Sequence, residues 1–159
     1  MKTLLVTGAN GQLGNSIRLL AKNYSGYNFL FTDVDTLDIT DPAAVRAMIK
    51  DNRVDYVLNC AAYTAVDKAE EDEALCRRIN AFAVGVLGEA AHEAGAKMIH
   101  VSTDYVFNGT GYRPYVETDA TRPVSAYGRT KLAGEEILQE VCPDAVIIRT
   151  AWLYSEFGN

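Results

Sequence analysis

Short apolar runs and amphipathic stretches alternate along this chain from its first residues. Leu4, Leu5 and Val6 form an apolar run without polar alternation, as in a strand buried on both faces. Leu13, Ile17, Leu20 and Ala21 then recur on one face at helical spacing. Tyr27 to Thr32 reads as a second strand. Asp41 and Pro42 are the N-cap and first position of a helix that continues through Val45, Met48 and Ile49. Val54 to Ala62 is the third predicted strand, and its small end, Cys60-Ala61-Ala62, lets a bulky ligand lie close to the backbone.

Asp67 to Ala94 reads as a loop followed by one long helix. Its stripe is carried by Leu75, Ile79, Phe82, Ala83, Val86, Leu87, Ala90 and Ala94, and Gly95 is its stop. Asn80 stands beside that stripe, where a polar side chain needs a partner. Lys97 to Ser102 is a further strand, running into Thr103 and Asp104. Asn108 to Val124, rich in Gly, Pro, Thr and Asn, is a long loop of the kind that usually carries function. Ser125 caps a helix through Tyr127, Lys131, Leu132, Ile137 and Leu138 that ends near Pro143, and Ala145 to Arg149 is the last strand. The alternation predicts an α/β fold: a Rossmann-type, doubly wound parallel sheet with helices on both faces, as one domain over 1–159.

Composition narrows the function classes only a little. The chain is 48% hydrophobic and 23% charged, ordinary for a globular domain. Its net charge of −6 is interspersed, without the clustered basic face a nucleic-acid partner needs. No apolar run spans a bilayer, so no membrane partner is expected, and the N-terminus does not read as a signal peptide. Cys60, Cys76 and Cys142 are odd in number and lack metal-ligand spacing, which predicts buried reduced thiols, no metal and a cytoplasmic protein.

Chemistry enters at the first turn. Gly8, Gly11 and Gly14 follow a strand and open a helix, so backbone can approach a pyrophosphate and the helix N-terminus favours its charge. Asp33 lies 19 residues beyond Gly14, where dinucleotide folds place an acid on the adenosine ribose. An acid there tilts toward NAD, and a cation such as Arg18 could offset the tilt. Tyr127 and Lys131, four residues apart, share one helix face, and an ammonium beside a phenol lowers the phenol's pKa. A hydroxyl from Ser102 or Thr103, at a strand C-terminus, could share a carbonyl oxygen with that phenol. His92 and His100 have no ligand-like companions and read as structural. The acidic run Glu70, Glu71, Asp72 and Glu73 reads as a solvated helix start that complements the dipole.

Several segments resemble one family closely. They are Val6–Gly14, Leu37–Asp41, Asn59–Glu70, Ile79-Asn80, Ser102–Phe107, Tyr127–Lys131 and Arg149–Tyr154. Together they are similar to the dTDP-4-dehydrorhamnose reductases of the extended short-chain dehydrogenase/reductases, over nearly the whole chain. The resemblance implies a catalytic trio of Thr103, Tyr127 and Lys131, with Asn80 supporting the lysine through a water relay. It implies pyrophosphate binding by Gly8, Gly11, Gln12 and Leu13, and an adenine site at Asp38 and Ile39. It places Ala61, Ala62 and Tyr63 at the nicotinamide, and Trp152, with Thr103, Asp104 and Tyr127, on the sugar.

The implied reaction is hydride transfer from NADPH or NADH to the C4 ketone of a nucleotide-sugar substrate, dTDP-4-dehydro-L-rhamnose. The implied assembly is a homodimer of the full-length protein. Family members run past Ser155-Glu156-Phe157-Gly158-Asn159, so a C-terminal sugar-binding part is expected to be missing and the fragment alone is not expected to turn over. The same segments are similar to the regulatory beta subunit of methionine adenosyltransferase, a non-catalytic dinucleotide binder. Epimerases and dehydratases of the superfamily share the Tyr/Lys pair and add pocket acids, for which Asp104 is a candidate.

Overall fold

The N-terminal strand lies inside the sheet, between two others. A computed structural model describes residues 1–158, and in it β1 (Lys2–Thr7) pairs in parallel with β2 (Tyr27–Phe31) on one side and β3 (Tyr56–Asn59) on the other. The sheet continues through β4 (Lys97–Thr103) and β5 (Val146–Thr150), giving the all-parallel order β2-β1-β3-β4-β5. The chain steps from β1 to β2 on one side and then crosses back over β1 to β3 on the other. The crevice between the C-terminal ends of β1 and β3 is therefore a topological switch point, where such sheets bind ligands.

One face of the sheet is deeply covered. Leu5, Val57 and Met98 pack there against Val45 and Ile49 of α2 (Pro42–Asp51), Val84 and Leu87 of α5 (Ala83–Glu93), and Leu138 of α6 (Ala126–Val141). Asp41 caps α2 by accepting from Ala43 N at 2.9 Å, Ser125 caps α6 through Gly128 N at 3.0 Å, and Gly95 follows α5 at φ +69°, all as predicted. On the other face an apolar row, Phe31, Val6, Leu58, Ile99 and Val146, crosses the whole sheet in register. There α1 (Gln12–Ala21) brings Ile17, Leu20 and Ala21 over Leu4, Phe29 and Tyr56, while Val146 and Ile148 stay half exposed. Helices thus lie on both faces, unequally.

The loop and single long helix expected over Asp67 to Ala94 are instead helical from the start and divided. The segment begins as α3 (Val66–Glu71), breaks at Asp72, resumes as α4 (Glu73–Arg77), widens to a π-turn at Arg78–Phe82 and continues as α5. Asp72 restarts it by accepting from Leu75 N at 3.0 Å, the capping chemistry the acidic run suggested. The neighbouring acids do something else. Glu70 accepts from Ala126 N, the first residue of α6, and Glu73 pairs with Arg129 at 2.9 Å, so this run holds α6 in place. The π-turn presses the Asn80 carbonyl against Gly134 of α6; a Cβ at Gly134 would lie 2.1 Å from that oxygen. Third-strand pairing stops at Asn59, leaving Cys60 to Ala62 as irregular backbone at the crevice. Residues 107–125 form no regular element, as expected. Among the described residues no helix is long and apolar enough to cross a membrane, and no group of three His, Cys, Asp or Glu side chains could hold a metal. The three cysteines are free thiols, Cys76 and Cys142 buried and Cys60 partly so.

Candidate active site at the carboxyl edge of the sheet

A cleft of ≈ 1040 Å³ opens along the carboxyl edge of the sheet, over the switch point. Its floor is the turn after β1. Gly8 has φ +63°, and a Cβ there would fall 2.6 Å from Ala61 Cα, so only glycine lets β1 and β3 meet this closely. At Gly14 a Cβ would sit 2.5 Å from Ala9 Cα, so α1 can lie down on the turn only with hydrogen at that place. Gly11 is the N-cap of α1 and offers no capping side chain, and no acid stands in the first turn. The backbone N–H groups of Gln12, Leu13 and Gly14 begin a helix whose positive end faces the cleft, a ready anion site. The Gln12 side chain donates to Leu153 O at 2.8 Å, tying the turn to the segment after β5.

Asp33, at the end of β2, accepts from Asn10 N at 2.9 Å and from Val34 N at 2.9 Å, so it clamps the glycine turn from the side. Arg18 lies over the Phe31 ring at 4.7 Å and reaches Asn10 Oδ1 at 3.3 Å. Asp38 Oδ1 accepts from Thr40 N and from the Thr40 hydroxyl, both at 2.8 Å, and the side-chain bond above all holds its carboxyl below the usual range. Ile39 and Arg78 complete that end of the cleft, Arg78 donating to the Thr40 hydroxyl at 3.0 Å. Sequence reasoning missed Arg78 and Asn10. Each becomes visible only once the loop after β2 folds over them.

Thr103, Tyr127 and Lys131 line the other end, and all three are buried. The two candidate hydroxyls separate. Ser102 donates to Glu135 Oε1 on the helix-covered side, whereas the neighbouring Thr103 hydroxyl accepts from Tyr105 N at 3.2 Å at the cleft wall. Tyr127 packs edge-on against Tyr105, ring centroids 5.5 Å apart. Burial pushes the Tyr127 phenol up, with the Thr103 hydroxyl pulling the other way. Lys131, 1% exposed, donates to Val101 O at 2.7 Å, and burial pulls its ammonium down to about 8. The expected lowering of the phenol by the ammonium is therefore reversed here. Burial is the leading cause for each group, and attraction between phenol and ammonium enters neither shift, so both are biased toward their neutral forms.

Ala61, Ala62, Asp104 and Trp152 also face the cleft, Trp152 at its mouth with φ +46° and 78% exposed. Tyr63 and Asn80 do not line it. The Asn80 side chain accepts from Tyr63 N at 2.8 Å and donates to Tyr63 O at 3.1 Å, tying the loop after β3 to the π-turn. No hydrogen bond joins the described Asn80 side chain to Lys131; it also reaches the Thr130 hydroxyl at 3.3 Å. His100, expected to be merely structural, lies directly behind Lys131, its Nε2 3.4 Å from the lysine Nζ.

Residues 1–159 match the family described as RmlD substrate binding domain. The chain belongs to that family. Among its RmlD-family relatives, the dTDP-4-dehydrorhamnose reductase of Escherichia coli is 45% identical over 98% of this chain and 53% of that protein. A protein of Streptomyces antibioticus described as a probable dTDP-4,6-dihydroxy-2-methyloxan-3-one 4-ketoreductase is 47% identical over 98% of this chain and 52% of its own length. The crystal structure of dTDP-4-dehydrorhamnose reductase from Bacillus anthracis in complex with NADP superposes with a TM-score of 0.95 at 38% identity, covering all of this chain and 57% of that one. The chain spans about half the length of the curated relatives it matches.

Proposed function

We propose that this chain is the dinucleotide-binding and proton-delivering part of an NAD(P)H-dependent reductase that acts on the C4 ketone of a nucleotide sugar. The substrate we assign is dTDP-4-dehydro-L-rhamnose, reduced to dTDP-L-rhamnose. One observation carries the reading: Thr103, Tyr127 and Lys131 share a single cleft with the uncapped N-terminus of α1. The residues fit the cofactor. Gly8 and Gly14 leave room that a Cβ would fill, and the turn at Gly11 with the N–H groups of Gln12, Leu13 and Gly14 would hold the pyrophosphate. Asp33 would face the adenosine ribose, Asp38 and Ile39 the adenine, and Ala61, Ala62 and the Tyr63 backbone the nicotinamide. Arg18 beside Asp33 keeps a 2′-phosphate compatible with the site, so both NADPH and NADH belong to the reading.

When bound, the dinucleotide supplies the hydride for the C4 carbon. Tyr127 gives its phenolic proton to the carbonyl oxygen, and the Thr103 hydroxyl donates a hydrogen bond to that same oxygen. Lys131 steadies the phenolate left behind, and Asn80 holds the loop after β3 against the helix. Asp104 and Trp152 would meet the sugar, with the remainder of the pocket supplied by the part of the relatives this chain does not span. The 47% identity to a ketoreductase described for a different dTDP sugar supports the 4-ketone class more strongly than the particular hexose. Tyr127→Phe in the full-length protein is expected to lower reduction of dTDP-4-dehydro-L-rhamnose by ~10²–10⁴-fold while leaving NADPH binding intact. Undiminished turnover would overturn the acid role, and loss of NADPH binding would show the substitution to be structural.

A further inference from the structure

Behind the cleft a line of hydrogen bonds crosses three strands and ends on Lys131. Thr7 on β1 donates to Asn59 Oδ1 at 2.7 Å, and Ala61 N donates to the same oxygen at 3.1 Å. Asn59 Nδ2 meets His100 Nδ1 on β4 at 3.0 Å, and His100 Nε2 meets Lys131 Nζ at 3.4 Å. Asn59 and His100 are fully buried, and no buried side-chain nitrogen or oxygen among the described residues lacks a partner.

The direction of this line is set by its first link. The Thr7 hydroxyl could face either end of an amide, but the Ala61 N–H can only donate, so the carbonyl oxygen of Asn59 must face it. The amide nitrogen of Asn59 is then turned to His100, and because it too can only donate, His100 Nδ1 must accept. A neutral imidazole that accepts at Nδ1 carries its proton on Nε2, the nitrogen that faces Lys131. Burial, and then the Lys131 charge, hold His100 well below its usual pKa, in keeping with a neutral ring.

From this polarity we infer that the Ala61–Asn59–His100 line is a tuning device for Lys131: it presents an N–H to the lysine nitrogen, favours the amine over the ammonium, and makes His100 a positioning residue. The inference rests on the reading of Tyr127 and Lys131 as the proton-delivering pair. Its geometry does not. An ammonium has three donors and no acceptor, so it meets a second donor at His100 Nε2, whereas an amine can accept that proton. The other groups acting on Lys131 are Glu135 on its own helix, Cys76 on α4 and Cys60 beyond β3, all of which favour the ammonium. Burial opposes them most, and His100 adds an N–H from β4 on the same side. Ala61 also lies under Gly8, so the residue that packs beneath the glycine turn is the one that orients the line.

The test begins with the unaltered full-length protein, labelled with ¹⁵N at histidine. His92, exposed on α5, serves as the internal reference. The His100 ring is expected as the Nε2–H tautomer and to stay neutral at the pH where His92 is half protonated. An Nδ1–H tautomer or an imidazolium would overturn the inference without touching the assignment of Tyr127. The second measurement follows Lys131 by ¹³Cε-lysine NMR, in wild type and in His100→Gln. A glutamine can turn its oxygen toward the ammonium, so the Lys131 midpoint is expected to move upward from the wild-type value. An unchanged or lower midpoint in a folded variant would also overturn it. Failure of Tyr127→Phe to lose activity would sink the proposed function and leave the tautomer result standing.

Discussion

The two ends of the cleft are built from different material. Around Gly8, Gly11 and Gly14 the wall is backbone, and it works because atoms are missing there. Around Tyr127 and Lys131 the wall is buried side chains, and it works because atoms are present. A site made of absence is broken by addition, and a site made of presence is broken by removal. The two ends therefore have opposite mutational sensitivities, though they share one cavity.

Addition at the glycine end should give the largest effect. Gly8→Val places a branched side chain at φ +63° with its Cβ 2.6 Å from Ala61 Cα. It is expected to abolish dinucleotide binding by calorimetry and to cost ~4 kcal/mol of stability in urea unfolding. A variant that still bound the dinucleotide at wild-type strength would remove the basis of the comparison. Removal at the other end comes next. Glu135 takes a bidentate pair from Arg149, with Nη2 at 2.6 Å, and accepts from Ser102 beneath the Tyr127–Lys131 helix face. Glu135→Ala should cost about 3 kcal/mol, because it leaves a partly buried guanidinium without its partner.

Lys131→Met tests the same wall with the opposite sign. The lysine carries a buried ammonium whose pKa falls from 10.5 to about 8, so its charge costs folding free energy at neutral pH. Between pH 8 and 10.5 the unfolded chain holds a proton that the folded chain has released, so wild-type stability rises with pH relative to the variant. The methionine variant should be more stable than wild type at pH 7 by about 2 kcal/mol, and this margin should shrink across that window in parallel urea titrations. A margin independent of pH would mean that the lysine is not desolvated. The smallest effect is expected at Ser125, whose hydroxyl caps the helix bearing Tyr127. Ser125→Ala should cost ~1 kcal/mol without changing dinucleotide binding.

This difference in material also decides what could be read from the residues alone. The glycine turn, the Asp41 and Ser125 caps and the strand–helix alternation are local, and each was visible as a short pattern. The pairing of Tyr127 with Lys131 needed only helical spacing. What escaped needed contacts across the sheet. His100 looked structural because its partners, Asn59 and Lys131, lie 41 and 31 residues away. Glu135 and Arg149 carried no mark in the chain, since an acid on a helix and an arginine on a strand are ordinary until α6 docks. In the sequence the acidic run reads as a solvated helix start; that holds for Asp72, but Glu70 and Glu73 reach α6 over 56 residues. The break between α3, α4 and the π-turn left no trace in a stripe whose apolar spacing suits a continuous helix. The Tyr127 pKa went the opposite way because charge attraction can be read from spacing, whereas desolvation requires knowing the burial.

The interior position of β1 has a consequence for how the chain is made. Synthesis delivers β1 before either of the strands that flank it, β2 from residue 27 and β3 from residue 56. Until β3 has left the ribosome, the edge of β1 destined for it is an unpaired row of amides beside an apolar run. At about 5–20 residues per second, that exposure lasts several seconds. Residues near the beginning of the chain are therefore the ones most in need of chaperone cover, and a synonymous change that slows translation before residue 56 should lower the yield of folded protein more than one placed after residue 150.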